Sequence, residues 1–166
     1  MNADQAAGRE LEWCQPESFR RFYQLKFQGS EVGTLRFEKR YGSRATGAYG
    51  ESKWTFKRTG FFSRNVSVRA SGSETDIAMF TQGWTGGGSI AFNSGRRYRL
   101  RYKNLWGTRW AFEAEDRTAV VSLSGPRGLL KHRGTTTVAP FAANLPETPV
   151  MLLLIWYVRL LMNADG

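Results

Sequence analysis

The C-terminal segment constrains the fold of this chain more than any other feature. Residues 151–162 read MLLLIWYVRLLM, which is apolar on every side of a helix except at Arg159. A helix without a polar face must be buried, either in a bilayer or inside a protein. Because the chain before it consists of short alternating segments typical of β-strands, the fold must hide one apolar helix in or beside a β-structure.

The length of the segment argues against a membrane span. A bilayer requires about 20 apolar residues in a row, whereas this run begins near Val150 and ends at Met162. At the usual rise per residue, a helix over residues 149–162 would span roughly 21 Å of a hydrocarbon core about 30 Å thick. Arg159 lies near the end of the run and could snorkel to the interface, which leaves a tail-anchored protein as an alternative.

The start of the helix is marked by local signals. Thr148 is a residue type that caps helices, and Pro149 suits the first helical position because its missing N–H would be unpaired there. Glu147 would lie beside the positive end of the helix dipole. We therefore predict a proline-containing connector over residues 139–148 and a central helix over residues 149–162.

The rest of the chain predicts about 11–12 strands between residues 9 and 138. Glycines mark the turns between them, and each predicted strand has one apolar face. A closed antiparallel barrel of this size is too wide for its own side chains to fill but can surround a helix. The predicted class is all-β with one helix, as a single domain over residues 1–166. The strand signals lie at residues 11–13, 23–27, 33–37, 45–49, 54–56, 66–68, 77–79, 90–92, 98–102, 110–112, 121–123 and 135–138.

This order of elements resembles the tubby C-terminal-like superfamily. Its LURP-one-related and phospholipid scramblase branches also place about twelve short strands before a proline-containing connector and one hydrophobic helix. The segment from Leu145 to Met162 is similar to the central helix of the LURP-one-related branch, and WTFKR at residues 54–58 and WAFE at residues 110–113 resemble small bacterial members. The resemblance implies a tubby-like barrel that associates with membranes. No tubby ligand position and no scramblase calcium cluster can be matched.

The inventory of reactive residues predicts that the chain is not an enzyme. The single histidine, His132, lies among cations with no adjacent carboxylate, whereas a serine or cysteine nucleophile needs a histidine base. The single cysteine, Cys14, is on an alternating strand and is predicted to be a small core or barrel residue and not a nucleophile; a single cysteine excludes an internal disulfide. The acidic group of Glu113, Glu115 and Asp116 is predicted to be a solvated turn. We predict no cofactor, no metal and no small-molecule substrate.

A basic stripe is the strongest functional signal in the sequence. The net charge is +10, and a basic protein favours polyanionic partners. In a strand the side chains of residues 97, 99, 101 and 103 point away from those of Tyr98, Leu100 and Tyr102. If the aromatic residues face the lumen, four cations line the outer wall. A second basic cluster surrounds Phe61-Phe62, which would suit insertion at a membrane interface if exposed; the alternative is that one Phe belongs to the core. The predicted anion-binding residues of the two clusters are Arg97, Arg99, Arg101, Lys103, Lys57, Arg58, Arg64 and Arg69.

These signals favour a binding protein over other classes. The leading hypothesis is a non-enzymatic domain that associates with acidic phospholipid headgroups, such as phosphoinositide-like lipids, or with another polyanion. One alternative is a single-stranded nucleic-acid-binding barrel, which needs exposed aromatic residues beside the cations. The polar N-terminus shows no secretory signal, so we expect a cytoplasmic or peripheral membrane location.

Overall fold

A computed structural model describes residues 8, 10–60, 64–84 and 86–165, with the side chain of the last residue left out. The described chain forms twelve strands, a short 3-10 helix and one α-helix, which confirms the predicted class. In chain order the elements are β1 (Glu10–Cys14), β2 (Phe22–Phe27), β3 (Ser30–Phe37), β4 (Ala45–Tyr49), β5 (Ser52–Thr59), β6 (Asn65–Ala70), β7 (Asp76–Gln82), β8 (Gly88–Phe92), β9 (Arg97–Tyr102), β10 (Arg109–Glu113), β11 (Ala119–Arg127), β12 (Arg133–Val138), the 3-10 helix (Pro140–Ala142) and α1 (Thr148–Asp165).

The strands form a closed up-and-down barrel. Every strand pairs antiparallel with its neighbours in sequence, and β1 pairs with β12 to close the sheet. Closure removes the exposed edge on which another chain could add a strand. The buried residues alternate along most strands, as in β2, where Tyr23, Leu25 and Phe27 point inward.

The helix α1 fills the lumen of the barrel. Side chains from Val150 to Leu161 are buried by strands around the helix. Trp156 stacks on Trp13 of β1 at a ring separation of 5.3 Å, and Tyr157 stacks on Phe37 of β3 at 5.5 Å. The surface that a tail anchor would expose to lipid is therefore in contact with the sheet. No helix in the described part of the chain is long and apolar enough to cross a bilayer.

The ends of α1 differ from the prediction. The helix extends three residues beyond Met162, to Asp165. The hydroxyl of Thr148 donates a hydrogen bond of 2.6 Å to the carbonyl of Ala142, so it ties α1 to the 3-10 helix instead of capping α1. Glu147 is nearly fully buried and accepts hydrogen bonds from Ser94 and Arg96. A barrel loop thus fixes the start of the helix.

Two glycines allow the helix to approach the sheet closely. A Cβ atom at Gly134 would lie 2.5 Å from the Trp156 ring, and one at Gly47 would lie 2.9 Å from Leu153. Both distances are shorter than side-chain contacts permit, so any larger residue would displace α1 or bend the strand. The glycines of β4 and β12 therefore set the width available to the helix.

The up-and-down topology gives the barrel two distinct ends. Alternate strand connections lie at the same end because neighbouring strands are antiparallel. We call one end the tip end; it carries the described residues of segments 15–21, 38–44, 60–64, 83–87, 103–108 and 128–132. The opposite end, the connector end, carries segments 28–29, 50–51, 71–75, 93–96, 114–118 and 139–147. The helix starts at the connector end and finishes at the tip end.

Gly134→Ala is expected to destabilise the barrel by about 2 kcal/mol, since the added methyl group overpacks the contact with Trp156. The change is measured as the free energy of unfolding in urea. Gly83→Ala is the matched control because its Cβ would meet only an ordinary contact at 3.5 Å, and it should change stability by less than about 0.5 kcal/mol. Equal stability of the two variants would show that α1 is not held at this distance.

The phenol of Tyr157 predicts a loss of stability at high pH. Its hydroxyl donates to the carbonyl of Ser43, and burial raises its pKa from 10.0 to about 12. The unfolded chain releases this proton near pH 10.0 and the folded chain near pH 12, so the free energy of unfolding falls over this interval. Tyr157→Phe should lose about 1 kcal/mol at neutral pH and show a shallower alkaline fall, whereas Tyr41→Phe, at an exposed position, should match the wild type.

Candidate functional site

The basic stripe lies on the outer wall as predicted, but only in part. Arg97, Arg99 and Arg101 alternate along β9 with the buried Tyr98 and Leu100. Among the described side chains, none forms an ion pair with these three arginines. They line an open groove of about 430 Å³, together with Arg117, Glu113 and Glu115. Carboxylates in the same groove reduce its positive potential.

Lys103 does not belong to the row of free cations. It lies beyond the end of β9, and its ammonium pairs with the carboxylate of Glu113. Glu113 is 3% exposed on the outer face of β10, which overturns the prediction of a solvated acidic turn for this residue. Glu115 and Asp116 do lie in the following turn, where a hydrogen bond from Thr118 lowers the pKa of Asp116. We conclude that Lys103 compensates a buried charge.

Tyr102 points inward, as alternation with the wall cations predicts. It lies on the inner face of the sheet, opposite Trp110 and in edge-to-face contact with it at 5.7 Å. Yet Tyr102 is about half exposed because it lies at the rim of the barrel, whereas Trp110 is buried. The wall arginines therefore have no exposed aromatic partner on their own face of β9.

The second predicted cluster is dispersed by the fold. Lys57 lies on the outer face of β5, whereas Arg58 lies on the inner face opposite the buried Val66. Arg64 is at the tip end, and Arg69 is on β6 toward the connector end, where it pairs with Asp76 at 2.6 Å. Because alternation and strand direction separate these residues, they do not form one site. The predicted Phe61-Phe62 tip lies outside the described residues.

Cys14 and His132, the candidate nucleophile and base, both contact glutamine side chains. Cys14 is half-buried at the end of β1, with its thiol 3.9 Å from the Gln24 amide oxygen, so it is a residue of the barrel wall and not of the core. The backbone N–H of His132 donates to the Gln15 side chain. Within the described part of the chain, no group of acidic, histidine and cysteine side chains could hold a metal ion.

Exposed apolar side chains are concentrated at the tip end. Nine large hydrophobic residues are exposed in the described chain, and only Phe141 lies toward the connector end. Trp84, Leu105 and Leu129 are almost completely accessible to solvent. Exposed apolar side chains concentrated at one end of a domain are candidates for an interaction site. The residues at the tip end are Phe19, Tyr41, Trp84, Tyr102, Leu105, Trp106, Leu129 and Leu130.

Charge is divided between the same two ends. The connecting segments at the tip end hold eight cations and two acids: Arg20, Arg21, Lys39, Arg40, Arg44, Arg64, Lys103 and Lys131 against Glu17 and Glu38. Both acids are paired, Glu17 with Arg20 at 3.1 Å and Glu38 with Arg44 at 3.0 Å. The segments at the connector end hold mostly acids, namely Glu51, Glu74, Glu115, Asp116 and Glu147 against Arg96 and Arg117. The barrel is therefore polarised along its axis.

One concave part of the tip end combines both features. A depression of about 430 Å³ lies between the loops that follow β1 and β3. Its lining includes four cations, one acid and two phenylalanines: Arg20, Arg21, Lys39, Arg40, Glu38, Phe19 and Phe37. Phe19 adopts a left-handed backbone conformation with φ 65°, which is rare for a residue of this size and places its ring in solvent. The site can accommodate an anionic group next to an apolar surface.

The tip-end loops are held by buried and polar contacts. The Arg21 guanidinium donates to the carbonyls of Lys39, Arg40 and Gly42, which fixes the loop after β3. Gln15 joins two loops because its amide nitrogen donates to the carbonyl of Arg20 and its oxygen accepts from His132. The exposed side chains are thus carried by ordered connections.

Arg159 supports another of these loops from below. Its guanidinium donates to the carbonyl of Gly107 at 3.0 Å and lies 4.3 Å from the Trp110 ring, whose indole N–H donates to the same carbonyl. Burial lowers the pKa of Arg159 to about 10. A helix that fills the lumen is expected to hold such a charge near the barrel mouth, and Arg159 does lie there. Its partners in the described chain are the Gly107 carbonyl, the Trp110 ring and the sulfur of Met162 at 3.5 Å.

Sequence reasoning placed function mainly on the wall; of the tip-end residues in the described chain it predicted Arg64 and Lys103 but missed the exposed apolar ones. Their signal was present: Trp84, Leu105, Trp106, Leu129 and Leu130 lie in glycine-containing turns, where polar residues are usual. The strand order and direction are needed to see that these separate turns lie at the same end of the barrel.

Comparison with protein-family models, curated proteins and solved structures finds no match. The tubby-like resemblance therefore stays a prediction.

Lys103→Met is expected to lower the free energy of unfolding by about 2 kcal/mol, because it leaves the Glu113 carboxylate buried without its partner. Urea denaturation measures the change. Arg99→Met is the control: Arg99 faces Glu113 in the strand register but makes no hydrogen bond to it in the described structure. The double variant Lys103→Met/Glu113→Leu should recover most of the loss. If Lys103→Met is as stable as Arg99→Met, Lys103 is a free wall cation after all.

Proposed function

We propose that this protein is a non-enzymatic domain that associates with acidic phospholipid headgroups through the cations of its tip end. The observation that carries the proposal is the division of charge, with unpaired cations beside exposed apolar residues at one end and acids at the other. An anionic membrane attracts the first end and repels the second. The charge pattern therefore supports both binding and orientation.

The free cations of the tip end are sufficient for measurable binding. Arg20, Arg44 and Lys103 are paired with carboxylates. The remaining exposed cations are Lys39, Arg40, Arg64 and Lys131. Each contributes about 1 kcal/mol near an anionic leaflet, so four give roughly 4 kcal/mol, or about a thousandfold in partitioning. This attraction should weaken with salt, since exposed charges are screened beyond about 10 Å at 0.1 M.

The outer wall is the weaker candidate surface for the same lipids. Its groove contains Glu113 and Glu115 besides the arginines, and the part of the groove around Arg97 lies toward the acidic connector end. A membrane that contacted Arg97 would also approach the turn with Glu115 and Asp116. The experiment must therefore distinguish binding through the tip end from binding through the predicted wall site.

Single-stranded nucleic acid is less well supported as a partner. Stacking of bases requires exposed aromatic rings beside cations, and the wall aromatics Tyr98 and Trp110 are buried. Trp84 and Trp106 at the tip end are exposed, but they lie with Leu105, Leu129 and Leu130, which offer no flat ring to a base. An aliphatic and aromatic mixture fits a bilayer interface better.

Vesicle co-sedimentation with a charge-matched pair of variants tests the proposal. Lys39→Gln/Arg40→Gln removes two tip-end cations, and Arg97→Gln/Arg99→Gln removes two wall cations with the same change in net charge. The first variant should bind phosphatidylserine-containing vesicles about thirtyfold more weakly, corresponding to about 2 kcal/mol. The second should remain within about threefold of wild type, because long-range attraction is screened.

Three results would contradict the proposal. Wild-type protein that binds neutral phosphatidylcholine and phosphatidylserine vesicles equally at low salt has no acidic-lipid function. A greater loss in the wall variant would move the binding surface to β9. Tighter binding of an unstructured oligonucleotide than of acidic vesicles, measured by anisotropy, would favour the nucleic-acid alternative.

A further inference from the structure

We infer that the exposed tryptophans and leucines of the tip end insert into the interfacial layer of an acidic bilayer, with the barrel axis along the membrane normal. This inference rests on the proposed function and adds a mode of binding to it. Headgroup attraction alone would leave the apolar tips in water. Insertion gives them a partner and fixes the orientation of the whole domain.

The apolar residues lie at the apices of separate loops. Trp84 follows β7, Leu105 and Trp106 follow β9, and Leu129 and Leu130 follow β11. These strands run in the same direction in the barrel, so their C-terminal connections lie at the same end. Exposed apolar residues on three connections at one end can meet an extended surface such as a bilayer together.

The exposure is built into the loops. In the loop after β9, the Asn104 side-chain oxygen accepts hydrogen bonds from the backbone N–H groups of Thr108 and Arg109 at 3.0 and 3.2 Å, and its amide nitrogen donates to the Thr108 hydroxyl. The carbonyl of Gly107 is held from below by Trp110 and Arg159. Leu105 and Trp106 therefore point outward on a fixed turn, which lowers the entropy lost on binding.

The residue types match the two layers of a bilayer surface. Tryptophan favours the interface, where its ring meets acyl chains and its N–H meets polar groups, and leucine favours hydrocarbon. The exposed Lys131 comes directly after Leu130. The apolar apices would reach acyl chains while this cation and the other free cations of the tip end stay among phosphates.

Charge complementarity favours a bilayer over a second copy of this chain. Two tip ends that packed on each other would bring two sets of unpaired cations face to face, which is unfavourable for association. An anionic leaflet offers the opposite charge to the same residues. The apolar residues and their surrounding cations are thus satisfied together by one partner.

Fluorescence quenching by lipids brominated in their acyl chains reports insertion directly. On vesicles of phosphatidylcholine and phosphatidylserine, the wild-type tryptophan emission should be quenched, because Trp84 and Trp106 approach the bromines. Trp84→Phe/Trp106→Phe keeps the apolar tips and should bind within about twofold of wild type, but its remaining tryptophans should not be quenched. Of the four that remain, Trp13, Trp110 and Trp156 are buried in the barrel, and the half-buried Trp54 lies toward the connector end, away from the bilayer.

Leucine variants test whether insertion contributes to affinity. Leu129→Gln/Leu130→Gln should weaken binding to the same vesicles by about tenfold while leaving the salt dependence unchanged. Phe141→Gln is the control, since Phe141 is the exposed hydrophobic residue toward the connector end, and it should bind as wild type. All three variants alter solvent-exposed side chains, and their melting temperatures should match that of the wild type.

The outcomes separate this inference from the proposed function. If wild-type protein binds acidic vesicles without quenching, and the leucine variant binds equally well, the tips do not insert and only the headgroup attraction remains. If wild-type protein fails to bind acidic vesicles, the proposed function itself fails. A concentration-dependent dimer in sedimentation velocity that Leu129→Gln/Leu130→Gln abolishes would assign the apolar tips to a second copy and overturn the inference.

Discussion

The apolar helix must be kept from water on all sides, and the rest of the structure depends on this constraint. A sheet covers one face of a helix, whereas a closed barrel covers every face. Twelve strands provide a circumference that fits α1, and the stacking of Trp156 on Trp13 and of Tyr157 on Phe37 fills the remaining space. Helix and sheet therefore depend on each other, since neither has another partner for its apolar surface.

This arrangement limits where a binding site can form. The helix α1 occupies the lumen, which in an empty barrel would be the cavity that a small ligand could enter. Binding surfaces remain on the outer wall and at the two ends. Because α1 finishes at the tip end, its last turns support the loops there: Arg159 and Trp110 both hold the carbonyl of Gly107. The core that stabilises the fold thus also positions the exposed loop residues.

The class of fold followed from the sequence because two independent periodicities agreed. Alternation in segments such as Tyr23 to Phe27 predicted the strands. The apolar run before and after Arg159 predicted a helix that must be surrounded by other elements. The failures arose where a residue's neighbours in space are not its neighbours in sequence. The buried Glu113 pairs with Lys103, ten positions earlier in the chain, and Arg69 pairs with Asp76 on the neighbouring strand. Strand register decides such contacts, and alternation alone does not determine register.

The shift of the candidate site from wall to tip end has the same origin. Four cations at alternate positions form a conspicuous pattern in one strand, but the strand beside it brings in a buried carboxylate that pairs with Lys103. The tip-end surface is made of one or two residues from each of several loops, so no single segment displays it. Its members become one surface because an up-and-down barrel brings every second connection to the same end. The proposed partner, an acidic membrane, is an extended surface that several of these connections could contact at once, so the proposal rests on the collective pattern and not on the local stripe.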